Sequence, residues 1–335
     1  MIRIENSYGI GAGKIVLSGE YAVLHGAPAI SMAVNRRARV QAVPAANSGH
    51  ALTAPGYCEG RWRFRSEAAD IEWLDEPPEP GAFSLLELLW QAARPGRGDW
   101  SLSLDSREFV DAADGAKLGV GASAAIAVAL AMVLSRIAGR DDDGPGMAAK
   151  AHRMFQGGHG SGVDIATSLH GGVIGFRRGE DAVPESLAWP AELHCRVFWS
   201  GSSSSTVQKL RTLEGARMSE SGRWLQELAE QVLAAWRQAD ISEVLGALAA
   251  YAKGLRAFDV DHDLGIFEAG HLELAEAAED MGLVYKPCGA GGGDIGAVFA
   301  GDAAAVRRFV AMAEGLGFRL LDVALDPVGV RISDE

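Results

Sequence analysis

Three stretches of the sequence combine glycine with a residue able to handle phosphate or protons. In residues 116–130 (AKLGVGASAAIAVAL), Gly119 and Gly121 allow a sharp turn and a close approach of backbone to a ligand. Ala122 and Ser123 then lead into an apolar helical run whose first N–H groups and dipole suit an anion. Ser123 can cap that helix or contact a cation beside phosphates, and Lys117 brings positive charge to the same place. A plain N-cap with a tight turn is the alternative for so short a motif. In residues 156–172 (QGGHGSGVDIATSLHGG), glycines surround one carboxylate, Asp164. Such a group can accept or orient the proton of an attacking oxygen, or cap the helix that follows it. The third stretch, residues 286–301, carries Gly289, Ala290, Gly291, Gly292 and Gly293 just ahead of a strand, as a surface turn or an anion-binding nest. Lys14 opens the first apolar strand with Glu20 shortly after, and alone it would be ordinary solvated surface.

One tempting motif fails. The run GIGAGK at residues 9–14 is not a Walker A loop, because Tyr8 stands where the first glycine is required and Ile15 where Ser or Thr is required.

The elements that must hold these groups alternate irregularly, which predicts an α+β fold rather than a doubly wound sheet. Strands are expected at 14–17, 29–43, 100–104, 194–199, 296–300 and 318–325. Helices are expected at 83–93, 123–138, 148–156, from about 205, and over 222–257, 264–281 and 302–315. Residues 75–81 (DEPPEPG) and 141–146 (DDDGPG) read as breaks. With 335 residues the chain suits two domains, 1–182 and 183–335, divided in the polar, Pro-containing stretch 180–190.

Charge narrows the partners. Lys and Arg number 31 against 44 Asp and Glu, a formal charge of −13, so a nucleic-acid partner is not expected. Attraction for a nucleotide would have to be local, from backbone N–H groups, a few lysines and a divalent cation. The three cysteines are widely spaced and form neither a disulfide framework nor a metal pattern. The longest strongly apolar run, 124–134, is too short for a membrane helix, and the N-terminal residues lack a secretory pattern. A cytoplasmic protein with no membrane partner is expected, and a homodimer is one admissible form.

Taken together, GKIVLSGEYAVLHG (13–26), KLGVGASAA (117–125) and KPCGAGGGDIG (286–296) resemble the three motifs of the GHMP kinases, in order and over nearly the whole chain. Within that superfamily AHRMFQGGHGSGVDIA (151–166), FWSGSSSST (198–206) and KPCGAGGGD (286–294) look most like the phosphomevalonate kinases, with the mevalonate kinases next. The resemblance implies a ribosomal-protein-S5-domain-2-like N-terminal domain, a ferredoxin-like C-terminal domain and a site in the cleft between them. It implies ATP and Mg²⁺ as cofactors and a small phosphorylated hydroxy acid as acceptor, in the mevalonate route to isoprenoids. Asp164 and Lys14 match the catalytic pair. Lys117, Gly119, Val120, Gly121, Ala122, Ser123 and Ala124 match the ATP loop, with Ser123 the metal contact. Substrate contacts would fall on Glu20, His25, His152, Arg153, Ser161, Gly162, Lys286, Gly289, Ala290, Gly291 and Gly292.

Two departures stand out. The family's usual pair of serines in the second motif is Ala122 and Ser123 here, and Arg153 stands where mevalonate kinases carry a metal-holding Glu. An Arg beside His152 would suit an acceptor that already bears phosphate. The resemblance also admits a different acceptor, a diphosphomevalonate decarboxylase, or a non-catalytic ligand sensor on the same fold.

Overall fold

Residues 6–45, 49–67, 69–96, 98–179, 183–203, 209 and 219–333 are described by a computed structural model of the chain. The expected helix near 205 and the Ser204–Thr206 end of FWSGSSSST lie outside these residues, as does the start of the stretch at 180.

The larger sheet is built around two long strands, β1 (Ser7–Ser18) and β2 (Ala29–Ala45), antiparallel with Lys14 opposite Ala33. Beyond β2 come β6 (Asp99–Asp105), then β3 (His50–Ala54), β4 (Cys58–Glu67) and β5 (Asp70–Trp73). Only the β3–β6 pairing is parallel among these. On the other side, β7 (Val173–Phe176) pairs with β2 and with β8 (Glu185–Leu187), and β13 (Arg331–Ser333) pairs with β1. This sheet therefore takes strands from both sides of residue 183.

Helix α2 (Ala122–Ile137) packs on β1, and the glycines of GIGAG are what admit it. A Cβ at Gly11 would lie 2.1 Å from the Ala125 carbonyl oxygen, and one at Gly9 2.6 Å from that of Ala129. The segment that imitates a phosphate loop in sequence is a strand that receives a helix. Around α2 lie α1 (Ser84–Ala93), α3 (Gly144–Phe155) and α4 (Val163–His170).

The smaller sheet runs β10 (Val284–Pro287), β11 (Ile295–Ala300), β9 (His194–Trp199), β12 (Arg319–Leu321), antiparallel throughout. With α7 (His271–Asp280) and α8 (Ala303–Gly315) this order is that of a β-α-β-β-α-β unit. Helices α5 (Glu220–Gln238) and α6 (Ile241–His262) pack on each other and join the core shared by the two sheets. Among the described residues no helix is long and apolar enough to cross a membrane.

Several expected boundaries moved for local reasons. The helix expected over 222–257 is two, because Ala239 turns left-handed (φ 56) and the Asp240 carboxylate caps the second by accepting from the Ser242 and Glu243 N–H groups. The helix expected from 264 begins at His271, since Gly265, Ala269 and Gly270 all have positive φ. The DDDGPG break starts a helix instead, its proline falling in the first turn where no N–H is needed. The strand expected at 318–325 shrinks to Arg319–Leu321, with a single bridge from Leu325 to Val34.

Candidate active site

Lys14 reaches the centre of the molecule because its strand is held on both sides. Its backbone pairs with Ala33, and its N–H donates to the Val120 carbonyl at 2.9 Å. That second bond ties β1 to the loop 119–121 ahead of α2. Gly121 caps α2 with φ 88, and a Cβ there would lie 2.9 Å from Lys14 Cγ. The lysine stem passes over the bare glycine, and its Nζ ends 2.8 Å from Asp164 Oδ1.

Asp164 stands in the first turn of α4, after Gly162 in the left-handed region, where the helix dipole favours a negative charge. Burial works against its ionised form, but Lys14 and His152 outweigh it and hold the carboxyl below the usual range. His152, buried on α3, places Nε2 3.0 Å from Ser123 Oγ. Burial pushes the imidazole below its ordinary pKa, with Asp164 opposing and Lys14 adding, so it is neutral at pH 7. In the tautomer with Nε2 unprotonated, the neutral ring would accept the Ser123 proton and leave that oxygen's lone pairs free for another ligand.

Two cavities meet at this pair. One, of about 610 Å³, is lined by residues 119–123, Lys117 and Asp294, with an apolar wall that includes Tyr57, Phe83 and Phe109. The N–H groups of Ala122, Ser123 and Ala124 precede the first intrahelical bond of α2, which Ala125 makes to Gly121. The other, of about 90 Å³, is lined by Glu20, Tyr21, Ser161, Gly289 and Ala290 among others. Lys14, Gln156 and Asp164 line both.

Of the residues singled out in the sequence, Lys117, Gly119, Val120, Gly121, Ala122 and Ser123 border the large cavity, and Glu20, Ser161, Gly289 and Ala290 the small one. The others stand back. Ala124 is buried beneath the loop and Gly162 caps α4. Gly291 and Gly292 press against the 265–266 turn, where a Cβ on Gly291 would meet Ile266 at 2.5 Å. His25 and Arg153 are exposed and line neither cavity. Arg153 points away because it lies on the outer face of α3, one residue past the buried His152.

Lys286 also lines neither cavity. It is wholly buried and ion-paired to Glu20, the two charges joining the smaller sheet to the turn after β1. Glu20 Oε2 is buried with no hydrogen-bond partner among the described residues. The same turn takes two more contacts from afar: Tyr251 OH donates to Glu20 O at 3.0 Å, and Tyr21 OH to Ala290 O at 2.6 Å.

Sequence reasoning missed Asp294 and the apolar wall. Asp294 sits inside the third glycine stretch, and its side chain packs on Gly119, where a Cβ would come within 2.5 Å of Asp294 Cβ. Acidity within a glycine loop was the available signal. The wall comes from separate strands and loops, which leave no local pattern.

Gly121→Ala is expected to lower turnover about tenfold or more, since a left-handed backbone strained by ~1–3 kcal/mol and a displaced Lys14 stem act together. Steady-state rates beside a thermal melt check this: an unchanged rate in a folded variant would show that the stem does not need the bare glycine.

Among the described residues no three His, Cys, Asp or Glu side chains converge as a metal cage. Ser123, Asp164 and Asp294 border the large cavity with hard side-chain oxygens, the kind of donor that a Mg²⁺ keeping waters and taking phosphate oxygens would require.

The sequence is 28% identical over 332 residues to a phosphomevalonate kinase of Streptomyces sp. (strain CL190), covering 85% of this chain and 87% of that one. It is 29% identical over 306 residues to a mevalonate kinase of Thermococcus sibiricus, covering 84% and 85%. The fold matches Streptococcus pneumoniae phosphomevalonate kinase, solved in complex with phosphomevalonate and AMPPNP, with a TM-score of 0.74 at 17% identity over 97% of this chain and 100% of that one. No family model matches the sequence. Kinship with two kinds of kinase over most of the chain, together with their shared fold, makes this chain a phosphotransferase of the GHMP kinase superfamily.

Proposed function

We propose that the chain transfers the γ-phosphoryl group of ATP to the terminal phosphate of phosphomevalonate, giving ADP and diphosphomevalonate. The observation that carries this is the Lys14–Asp164 pair at the junction of the two cavities. A triphosphate in the large cavity would lie on the free N–H groups at the start of α2, with its base against the apolar wall. An acceptor in the small cavity would then face the γ-phosphate across the pair. Kinship with a phosphomevalonate kinase, and the fold shared with one solved with phosphomevalonate and AMPPNP, support the choice of substrates.

The acceptor phosphate is already an anion near neutral pH, its second pKa being about 6. Asp164 then orients the attacking oxygen more than it removes a proton. Lys14 offsets the negative charge that gathers between acceptor and nucleotide, and the α2 N–H groups hold the phosphates in line. Mg²⁺, when bound, neutralises phosphate charge, and Ser123 is the residue best placed to meet it.

One observation favours a second acceptor. Among the described residues the small cavity is lined by a single cation, Lys14, and Arg153 faces away from it. That suits mevalonate, whose attacking group is a hydroxyl, and a mevalonate kinase is also among the relatives. In that case Asp164 accepts the hydroxyl proton.

Coupled assay of ADP release over a panel of phosphomevalonate, mevalonate, homoserine and galactose separates the readings. Release with phosphomevalonate alone is the expected result, release with mevalonate alone establishes the second reading, and CO₂ release from diphosphomevalonate would replace both.

A further inference from the structure

The phosphate loop is gripped from the smaller sheet. Residues 109–118 lead into it as a tight antiparallel turn, in which Val110 bridges Lys117 and the Leu118 N–H donates to Phe109 O at 3.0 Å. Val110 and Lys117 both border the large cavity. At the end of β9, Trp199 donates its indole N–H to the Lys117 carbonyl at 3.1 Å. Arg319, opposite Trp199 on β12, lays its guanidinium over the indole, 4.6 Å from the ring centroid. The same guanidinium ion-pairs with Asp111 at 2.6 Å, on the other arm of the turn. One arginine thus stacks on the group that holds one arm and bonds the carboxylate of the other.

Two features separate this from ordinary surface packing. Arg319 Nη2 is buried without a hydrogen-bond partner among the described residues, so the guanidinium holds its stacked position at a desolvation cost. The grip also continues into the loop: the next residue, Ser200, donates its N–H to Asp294 O at 2.9 Å, and Asp294 packs on Gly119.

We propose that Arg319, Trp199 and Asp111 are positioning residues that set the phosphate loop for the nucleotide, without touching the reacting atoms. The proposal rests on the reading above that ATP occupies the large cavity. It assigns the smaller sheet a share in nucleotide affinity, acting through the backbone of Lys117.

The test compares the parent chain with Arg319→Ala, Arg319→Lys and Trp199→Phe in steady-state kinetics, calorimetric titration with AMPPNP and thermal melting. Arg319→Ala is expected to raise KM for ATP and Kd for AMPPNP about three- to tenfold, with KM for the acceptor unchanged. Arg319→Lys should fall between, because an ammonium keeps the charge but not the flat stack. Trp199→Phe keeps the stack, loses the N–H, and should shift ATP in the same direction. A merely structural role would lower the melting temperature and move both KM values or neither. Unchanged nucleotide binding in folded Arg319→Ala and Trp199→Phe, or both KM values rising together, overturns the proposal. If the parent chain neither binds AMPPNP nor turns over ATP, the nucleotide reading fails and this proposal with it. If it does both and the variants match it, only this proposal fails.

Discussion

Asp164→Asn is expected to lower turnover with phosphomevalonate by about 10²-fold, the cost of misplacing a reacting group, with nucleotide affinity close to that of the parent chain. Asn keeps the volume and the place in the first turn of α4, but leaves Lys14 without the carboxylate 2.8 Å away. The effect should stay on the acceptor side. Asp164 raises the pKa of His152, so its removal lets that imidazole fall further and stay neutral, and the Ser123–His152 hydrogen bond survives. Steady-state rates with AMPPNP titration check both halves, and unchanged turnover would remove Asp164 from the mechanism.

The pH profile follows from the same environment. Because the folded pKa of Asp164 is depressed, the stability it contributes is present above the unfolded value of about 3.9 and is lost as pH falls through the lower folded value. The residue is ionised throughout the range from weakly acid to weakly alkaline. A decline below about pH 6 with phosphomevalonate but not with mevalonate is expected, and reports protonation of the acceptor phosphate; a decline with both would instead report His152, which gains its proton below the ordinary imidazole value.

The second large effect is on stability. Lys286→Met is expected to cost about 3–5 kcal/mol, the penalty for leaving one charge of a buried pair without its partner. Burial opposes the charged form of Lys286, but Cys288 and Glu20 hold its pKa above the usual lysine range. Its stabilising contribution is thus complete below the unfolded value of about 10.4 and is lost only as pH rises through the higher folded value. Denaturant unfolding of Lys286→Met, Glu20→Gln and the double variant gives the coupling directly. The double variant should recover much of the loss, since it leaves no buried charge at the site. Equal stability of Lys286→Met and the parent would show that the pair is solvated.

The glycine stretches were legible because such runs of bare backbone stand out ahead of a helix or strand, and β2 and α2 followed from their patterns, whereas only residues 14–17 of β1 did. Their meeting was not. Nothing local in GKIVLSGE shows that Lys14 passes over Gly121 to reach Asp164, which depends on a strand, a turn and a helix from three parts of the chain. Glu20 and Lys286 are 266 positions apart, and their types suggested solvent or substrate until the fold buried them together. The break at Ala239–Asp240 was hidden because both flanking helices are amphipathic and the cap is a single carboxylate. The return of residues 331–333 to β1 left no pattern at all, three residues being too few to show alternation.

That return bears on how the chain is made. On a ribosome β1 emerges long before β13, and the ladder from Tyr8 to Ile10 can close only with Arg331 to Ser333, after the residues between them have been synthesised. Until then the strand that carries Lys14 has one open edge beside β13's place, the kind of edge that recruits foreign strands. So distant a pairing is also slow to find. The nascent chain is thus most exposed to misassembly along the strand that carries Lys14, and the emergence of residues 331–333, rather than completion of the first 180 residues, is the point at which that edge can close.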